Sequence, residues 1–165
     1  MIKYFLENPA RRLERKTNGA SGYDLMADVS TSRQLDVGRR WSVPSGLYLE
    51  MPIGVEGQIR TRSGLARDHG VIVLNAPGTV DSDYRGEVCV TLINLGHQAY
   101  TILPGDRIAQ IVFCPVFPHC ADLLRENPVQ WIGSFSDRYT PIRVDSRDEL
   151  TVTIRGTSGH GSTGR

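Results

Sequence analysis

The sequence contains few cysteines, and none stands in a pattern typical of a disulfide framework or a metal cage. The three cysteines are Cys89, Cys114 and Cys120, an odd number with no CxxC pair. We therefore expect reduced thiols, as in proteins of a reducing compartment. His97 and His119 do not complete a recognisable ligand spacing with Cys120, which argues against a structural zinc site.

The sequence also lacks an excess of charge and long apolar runs. Lys and Arg number 19 and Asp and Glu 18, so the formal net charge is only +1. A broad basic face for duplex DNA needs more positive charge, and we expect no nucleic-acid partner. No apolar run approaches the roughly 20 residues that span a bilayer, and residues 1–16 lack the apolar core of a secretory signal. We expect a cytoplasmic protein with no membrane partner.

Glycine and proline are abundant instead, with 17 Gly and 9 Pro dividing the 165 residues into short segments. Such punctuation between short apolar segments is typical of sandwiches and barrels, and it predicts an all-β domain. The predicted strands are residues 41–43, 46–51, 57–61, 71–74, 87–94, 99–102 and 107–116. Both alternating faces of strand 87–94 are apolar, so we expect it to be covered on both sides.

Residues 118–142 have a less regular pattern. ADLLREN favours one or two helical turns before Pro128. The favoured interpretation is a structured connecting excursion. In the alternative, the apolar side chains Trp131, Ile132 and Phe135 dock on a core or on a partner subunit.

Two polar segments in the first half of the chain each have a functional and a structural interpretation. SGYDLMA sets Asp24 between apolar neighbours, which by itself fits a strand with a turn-associated aspartate. RTRSGLA offers the guanidinium of Arg62, the hydroxyl of Ser63 and accessible backbone at Gly64. These groups suit phosphate at the start of a short helix that Gly70 ends. They equally suit an ordinary helix cap with a solvated arginine.

Two further segments follow. NAPGTVDSDYRGE predicts a hairpin that projects Asn75, Asp81 and Tyr84. Asp81 suits a general base on water, and the alternative is a loop whose carboxylates cap turns. GDRIAQIVF places Gln110 among apolar strand neighbours, where an amide is either paired in the core or a ligand contact.

The chain ends in RGTSGHGSTGR, residues 155–165, which cannot bury enough apolar surface to order by itself. Its arginines, histidine and hydroxyl groups nevertheless suit phosphate binding. A frayed terminus is the structural alternative.

The order of these segments resembles that of a known family. SGYDL, RSGLA, NAPGTVDSDYRGE, GDRIAQ and RGTSGHGSTG are similar, in series, to the five motifs of the trimeric dUTP diphosphatase (dUTPase) family, and they extend over residues 21–164. The third and fifth motifs are the most specific. The resemblance implies a jelly-roll-like β-barrel subunit, with residues 1–154 as a single domain and residues 155–165 as a mobile glycine-rich lid.

The resemblance also implies an activity. The family hydrolyses dUTP to dUMP and pyrophosphate, which limits uracil in DNA and supplies dUMP for dTMP synthesis. It implies a homotrimer in which each active site draws on all three chains. Mg²⁺ is implied as the cofactor, held by the triphosphate and water, so no protein metal cage is expected.

Residue roles carry over from the motifs as implications of the resemblance. Asp81 matches the aspartate that activates the attacking water, and Arg62 matches a catalytic, phosphate-binding arginine. Asn75 lies near uracil and Tyr84 stacks under the deoxyribose, with Asp24 as a supporting group. Further positions are also expected to contact the substrate. Some bind uracil through the hairpin backbone, some bind the phosphates through polar groups, and those of the lid bind the phosphates or stack on uracil. They are Ser63, Gly64, Thr79, Val80, Cys89, Gln110, Arg155, His160, Gly161, Ser162 and Thr163.

The motifs depart from the family pattern at Ser21, Thr61 and Ser158, which stand where Ala, Pro and Gly are common. The stretch around residues 118–142 is longer than in compact members, so the route of the lid stays open. Two alternatives remain on the same scaffold. A dCTP deaminase would need a catalytic Glu where Thr91 stands, and a regulatory nucleotide-binding protein would use the long stretch as a partner surface.

Overall fold

A computed structural model describes residues 1–116 and 141–157. These residues form an all-β domain, as predicted, with 12 strands and one short α-helix in the described ranges. The strands are β1 (Ile2–Leu6), β2 (Tyr23–Met26), β3 (Arg33–Leu35), β4 (Arg40–Pro44), β5 (Leu47–Glu50), β6 (Val55–Arg60), β7 (Val71–Val73), β8 (Gly78–Val80), β9 (Cys89–Asn94), β10 (Tyr100–Ile102), β11 (Arg107–Pro115) and β12 (Pro141–Arg143). Helix α1 is Ser63–His69, and a 3₁₀ turn covers Arg147–Glu149. Within these ranges, no helix combines the length and apolar character needed to span a bilayer.

The strands form four small sheets that share one core. A four-stranded sheet has the order β2-β11-β6-β8, and a three-stranded sheet has the order β4-β9-β7. The others are β12-β1-β5 and the pair β10-β3. Ile111 and Ile108 of β11 belong to the same buried cluster as Val43, Val71 and Leu92 of the three-stranded sheet. Burying each such side chain contributes about 1.5–3 kcal/mol, so this shared core holds the sheets together.

All seven strands expected from the sequence overlap observed strands. The unexpected ones include β3, β8 and β12, which have three residues each and too little sequence to show a period. Strand β1 carries a readable alternation, since its first, third and fifth residues are buried. The expectation that β9 is covered on both faces is wrong for one face, where Cys89, Thr91 and Ile93 are only half-buried.

Helix α1 begins and ends where the sequence indicates. Gly70 follows its last turn with φ 68° and ψ 15°, a left-handed conformation that side chains disfavour. The Gly70 amide donates to the Ala66 carbonyl at 3.1 Å, which closes the helix and turns the chain into β7.

Most of the predicted excursion lies outside the described residues, as does the lid beyond residue 157. The last two residues of the excursion, 141 and 142, were expected to belong to the connection but instead begin β12. Pro141 pairs with Ile2 there, so β12 runs parallel to β1. The chain then makes the 3₁₀ turn and continues as residues 151–157, which we call the C-terminal strap.

The root of the C-terminal strap is held by a carboxylate. The Thr151 amide donates to Oε2 of Glu50 at 2.7 Å, and Nζ of Lys3 lies 3.3 Å from Oε1 of the same side chain. Burial alone raises the pKa of Glu50, but the Thr151 hydrogen bond and Lys3 outweigh it and lower that pKa below its ordinary value of 4.5. The ionised form therefore stabilises the attachment.

Replacing Glu50 by Gln tests this attachment. Because the folded-state pKa is depressed, the contribution of the charge is present above pH 4.5 and is lost as the pH falls through the folded value. We expect Glu50→Gln to lower the free energy of unfolding by about 1 kcal/mol at neutral pH. The difference in unfolding free energy between wild type and variant should narrow as the pH falls below the ordinary pKa of the carboxyl group. Urea denaturation from pH 7 downward measures it. Glu14→Gln is the control, since that side chain is exposed, and an equal loss in both variants would contradict the assignment.

Candidate active site

A cavity opens inside the long connection between β7 and β9. The two strands pair with each other, Val73 opposite Leu92, but the chain between them leaves this sheet. Strand β8 crosses to pair with β6, with Gly78 opposite Ile59. The gap between β8 and β9 encloses about 180 Å³. Cavities for drug-sized ligands run to roughly 300–1,000 Å³, so this one suits a smaller group such as a single ring.

The cavity has an apolar floor and a polar rim. Aliphatic side chains on β6, β7, β8 and β9, and on the residue just before β9, build the floor. These are Ile59, Val73, Val80, Val88 and Val90. Around them lie Asn75, Gly78, Thr79, Asp81, Tyr84, Glu87, Cys89, Thr91 and Arg155. An apolar slot with a few polar groups on one side is the usual form of a small-molecule site.

Tyr84 is fixed as one wall of the cavity. Its hydroxyl donates to the Glu87 carbonyl at 2.9 Å, and its amide donates to the Asp81 carbonyl at 3.1 Å. Burial raises the pKa of Tyr84, so the phenol stays neutral and keeps donating. The guanidinium carbon of Arg155 lies 5.7 Å from the ring centroid, within the range of a cation–π contact.

Asp81 lies at the rim beside a cation from the C-terminal strap. Nη1 of Arg155 donates to Oδ2 of Asp81 and lies 3.6 Å from Oδ1 of Asp83. The hydrogen bond to Asp81 raises the pKa of Arg155 above its already high value. The Asp81 side chain is 46% exposed, so its carboxylate is accessible to solvent. A carboxylate, an arginine and an aromatic ring thus meet at the mouth of the cavity.

A second polar group forms where β2, β6 and β11 run side by side. Asp24 accepts from Nε of Arg62 at 3.1 Å and from Nη1 of Arg107 at 3.3 Å. Arg62 also donates to the Arg107 carbonyl at 3.0 Å, and Nε2 of Gln110 donates to the Thr61 carbonyl at 3.3 Å. The carboxylate therefore orients two guanidinium groups, which leaves a concentrated positive patch suited to phosphate.

Strand pairing separates this group from the cavity. Gln110 lies opposite both Asp24 and Arg60, so these three share one face of the sheet. Ile59, next to Arg60, lines the cavity and points to the other face, because successive strand residues alternate. Among the described residues, the cavity lining includes no member of the Asp24 group. One chain thus carries two separate groups of polar residues that share no member.

Comparison with known proteins assigns the chain to a family. A sequence model described as dUTPase matches residues 8–130. The deoxyuridine 5'-triphosphate nucleotidohydrolase of Mesorhizobium japonicum is 47% identical over 151 residues, covering 90% of this chain and 80% of its own. The protein of the same name from Chlamydia trachomatis serovar L2 is 42% identical over 165 residues, covering 99% of both chains. The chain belongs to the dUTPase family.

Solved structures of dUTPases share the fold. The dUTPase of Streptococcus mutans has a TM-score of 0.58 at 28% identity, covering 63% of this chain and 84% of its own. A mutant dUTPase from phage phi11 of Staphylococcus aureus, described with a structural Mg(II) ion, has a TM-score of 0.63 at 19% identity. It covers 71% of this chain and 92% of its own, and at that identity the likeness concerns the fold alone.

The structure divides the residues that the dUTPase motifs single out into three sets. One set lines the cavity, namely Asn75, Thr79, Val80, Asp81, Tyr84, Cys89 and Arg155. A second set lies at or next to the Asp24 group, namely Asp24, Arg62, Ser63, Gly64 and Gln110. The third set, His160, Gly161, Ser162 and Thr163, lies outside the described residues. Arg62 is the N-cap of α1 and makes no side-chain cap bond, because a guanidinium has no acceptor for the helix amides. Its Nε donates to Asp24 instead.

Two polar side chains that line the dUTPase cavity are not among the binding residues that the motifs single out. Glu87 lines it and accepts from the Gly46 amide at 2.7 Å, a contact between distant segments that no local pattern signals. Thr91 also lines it, next to Cys89 on the same strand face. Strand alternation could have found Thr91, since residues two apart share a face. Burial raises the pKa of Cys89, so its thiol is protonated at neutral pH.

The close fit of Tyr84 gives a prediction. A Cβ at Gly86 would overlap the Tyr84 hydroxyl and ring, so Gly86→Ala must displace that ring. We expect a loss of about 1–3 kcal/mol in the free energy of unfolding, as for other overpacked sites. The loss should largely disappear when Tyr84 is also Ala. Gly19→Ala is the control, because a Cβ there meets no atom within 4 Å. Equal losses with and without the tyrosine ring would contradict this geometry.

Proposed function

We propose that this protein hydrolyses dUTP to dUMP and pyrophosphate. The observation that carries the proposal is the cavity with Asp81, Tyr84 and Arg155 at its mouth, in a chain 42–47% identical to nucleotidohydrolases of dUTP. This activity would limit uracil in DNA and supply dUMP for dTMP synthesis. The thiols of Cys89 and Cys114 are free, which supports a reducing compartment such as the cytoplasm.

The cavity suits a pyrimidine nucleoside with its base innermost. The floor between β8 and β9 is apolar and narrow, and backbone of Thr79, Val80 and Cys89 is at hand to bond the uracil edge. Asn75 lies at the mouth. Tyr84 then packs against the deoxyribose, and its fixed hydroxyl leaves no freedom to accommodate a ribose 2′-hydroxyl. In this proposal the narrow cavity selects the base, and the Tyr84 wall of the same cavity selects the deoxyribose.

The chemistry needs an oriented water more than a covalent partner. In our proposal Asp81 accepts a proton from water, whose oxygen bonds to the α-phosphorus. The bond from that phosphorus to the bridging oxygen breaks, and pyrophosphate leaves with the electron pair. Arg155 already contacts Asp81 and Asp83, so incoming phosphate oxygens compete for its guanidinium. Its transfer to the phosphates frees the Asp81 carboxylate to act as base.

The donor set fits Mg²⁺ that arrives with the substrate. Within residues 1–116 and 141–157, no group of three or more His, Cys, Asp and Glu side chains could hold a metal. Asp24 is already engaged by two arginines, and Asp81 and Asp83 share Arg155. Ligands from phosphate and water are what Mg²⁺ ordinarily retains. When bound, the ion neutralises phosphate charge as the bond breaks.

We further propose a homotrimer whose sites combine different chains. In the described chain the cavity lining includes no member of the Asp24 group, so we take a neighbouring chain as the source of Arg62, Ser63, Gly64 and Gln110 for each cavity. In this arrangement residues 155–165 close over the nucleotide. The proposal is supported by the separation of two groups that phosphoryl transfer needs together.

Substitution of Asp81 by Asn tests the activity. We expect pyrophosphate release from dUTP with Mg²⁺ to fall by about 10²–10⁴-fold, as when a general base is lost, while dUTP still binds. Wild type should act on dUTP and leave dCTP, dTTP and UTP largely intact. Asp68→Asn is the control, because Asp68 is an exposed partner of Arg67 on α1. Ammonia release from dCTP would replace the proposal with a deaminase, and tight binding without turnover would replace it with a regulatory role.

Mixing two inactive variants tests the shared sites. Asp81→Asn removes the proposed base at the cavity, and Arg62→Ala removes a phosphate-binding guanidinium from the Asp24 group. If each site combines the cavity of one chain with the Asp24 group of another, refolding the two variants together should restore roughly a quarter of wild-type turnover. In an equal mixture, the cavity and the Asp24 group of a given site each come from a chain with the native residue about half of the time. A mixture of Asp81→Asn with the double variant should stay inactive. Failure of the first mixture to recover would indicate a site built within one chain.

A further inference from the structure

Arg85 is a half-buried loop residue whose side chain makes hydrogen bonds to three separate segments of the chain. Its Nη1 donates to the carbonyls of Ser82 at 2.8 Å, Tyr84 at 3.0 Å and Leu49 at 3.4 Å. Its Nε and Nη2 donate to the carbonyl and hydroxyl of Thr151 at 2.8 and 3.3 Å. One side chain therefore joins the Asp81–Tyr84 turn, the end of β5 and the root of the C-terminal strap.

The backbone of the same residue holds the other end of the strap. The Arg85 amide donates to the Gly156 carbonyl at 2.7 Å. Arg155, which precedes Gly156, contacts Asp81. The strap is thus fixed by Arg85 on both sides of Arg155. Thr153 adds an independent tie, since its hydroxyl donates to the Asp83 carbonyl and accepts from the Gly156 amide at 3.0 Å.

The acceptors of Arg85 are all neutral oxygens in the part of the chain that the structure describes. Burial lowers the pKa of Arg85, with the charges of Glu50 and Asp83 opposing that effect, and the group stays protonated at neutral pH. A planar guanidinium carries five donors on three separate nitrogens, so it can bond acceptors that are too far apart for the single nitrogen of a lysine. The site therefore requires arginine for its shape.

We propose that Arg85 is a positioning residue that sets Arg155 beside Asp81, so that the strap delivers its guanidinium to the substrate phosphates. The inference rests on the proposed dUTP hydrolysis, and Arg85 itself contacts no reacting atom in it. Its hydrogen bonds lead to the turn that carries Asp81 and to the strap that carries Arg155. The turn keeps its own hydrogen bonds, from the Tyr84 amide to the Asp81 carbonyl and from the Tyr84 hydroxyl to the Glu87 carbonyl, when Arg85 is lost. The loss of Arg85 should therefore act mainly through Arg155.

A double-mutant cycle on pyrophosphate release from dUTP tests this dependence. We expect Arg85→Ala to lower kcat/KM by about tenfold in the wild-type background and by less than about twofold in an Arg155→Ala background. Arg85→Lys should behave like Arg85→Ala, because a single ammonium nitrogen cannot bond the Asp81–Tyr84 turn and the strap at the same time. Thr153→Val should show the same dependence on Arg155, and it tests the strap without altering Arg85.

Arg147→Ala is the matched control. Arg147 lies in the same groove as Arg85 beside the strap, but its guanidinium stacks on Tyr48 at 3.9 Å and faces Glu7. We expect kcat/KM to change by less than about twofold in this variant. Urea denaturation of every variant establishes that the compared chains are folded.

Amide hydrogen exchange separates this inference from the proposed activity. The Thr151 and Gly156 amides are hydrogen-bonded in the strap, and both should exchange faster in Arg85→Ala than in Arg147→Ala. If the wild-type protein releases no pyrophosphate from dUTP, the proposed activity is overturned. The exchange rates of the strap amides still test whether Arg85 anchors the strap. Unchanged exchange, or equal losses of kcat/KM in both Arg155 backgrounds, would overturn the positioning role.

Discussion

The antiparallel pairing of β6 with β11 on one side and β8 on the other is the constraint on which the site depends. It fixes Ile59 opposite both Ile111 and Gly78, and Gln110 opposite Arg60. Since side chains alternate across a strand, one residue step separates the floor of the cavity from the row that holds Gln110. A shift of register by one residue would exchange these faces and destroy both groups.

The turn from Asp81 to Tyr84 is the second organising feature. It presents a carboxylate and a ring on the cavity side, and its carbonyls face Arg85 on the other. The same arginine bonds Thr151, so the rim of the cavity and the C-terminal strap are tied at one point. Such a link lets a few hydrogen bonds, each contributing about 1 kcal/mol, set the position of the Arg155 guanidinium.

Local charge arrangement carries the chemistry in a chain that is almost neutral overall. Asp24 lies between Arg62 and Arg107, and Arg155 lies between Asp81 and Asp83. In each trio the central group orients its two neighbours before any ligand arrives. Preorganised charges of this kind act on phosphate without reorganisation at the moment of reaction. The net charge of +1 therefore says little about the affinity for a triphosphate.

Local sequence patterns predicted the β class and the position of α1, and they singled out Asn75, Asp81 and Tyr84, which line the cavity. Such patterns work because turn residues and alternation act over a few neighbours. These patterns missed β3, β8 and β12, which are held by partners far along the chain. The fold was needed to show that Asp24 holds Arg62, that Arg85 reaches Thr151, and that the Asp24 group is separate from the cavity lining. Pairing register and long-range hydrogen bonds fix these relations, and no local pattern records them.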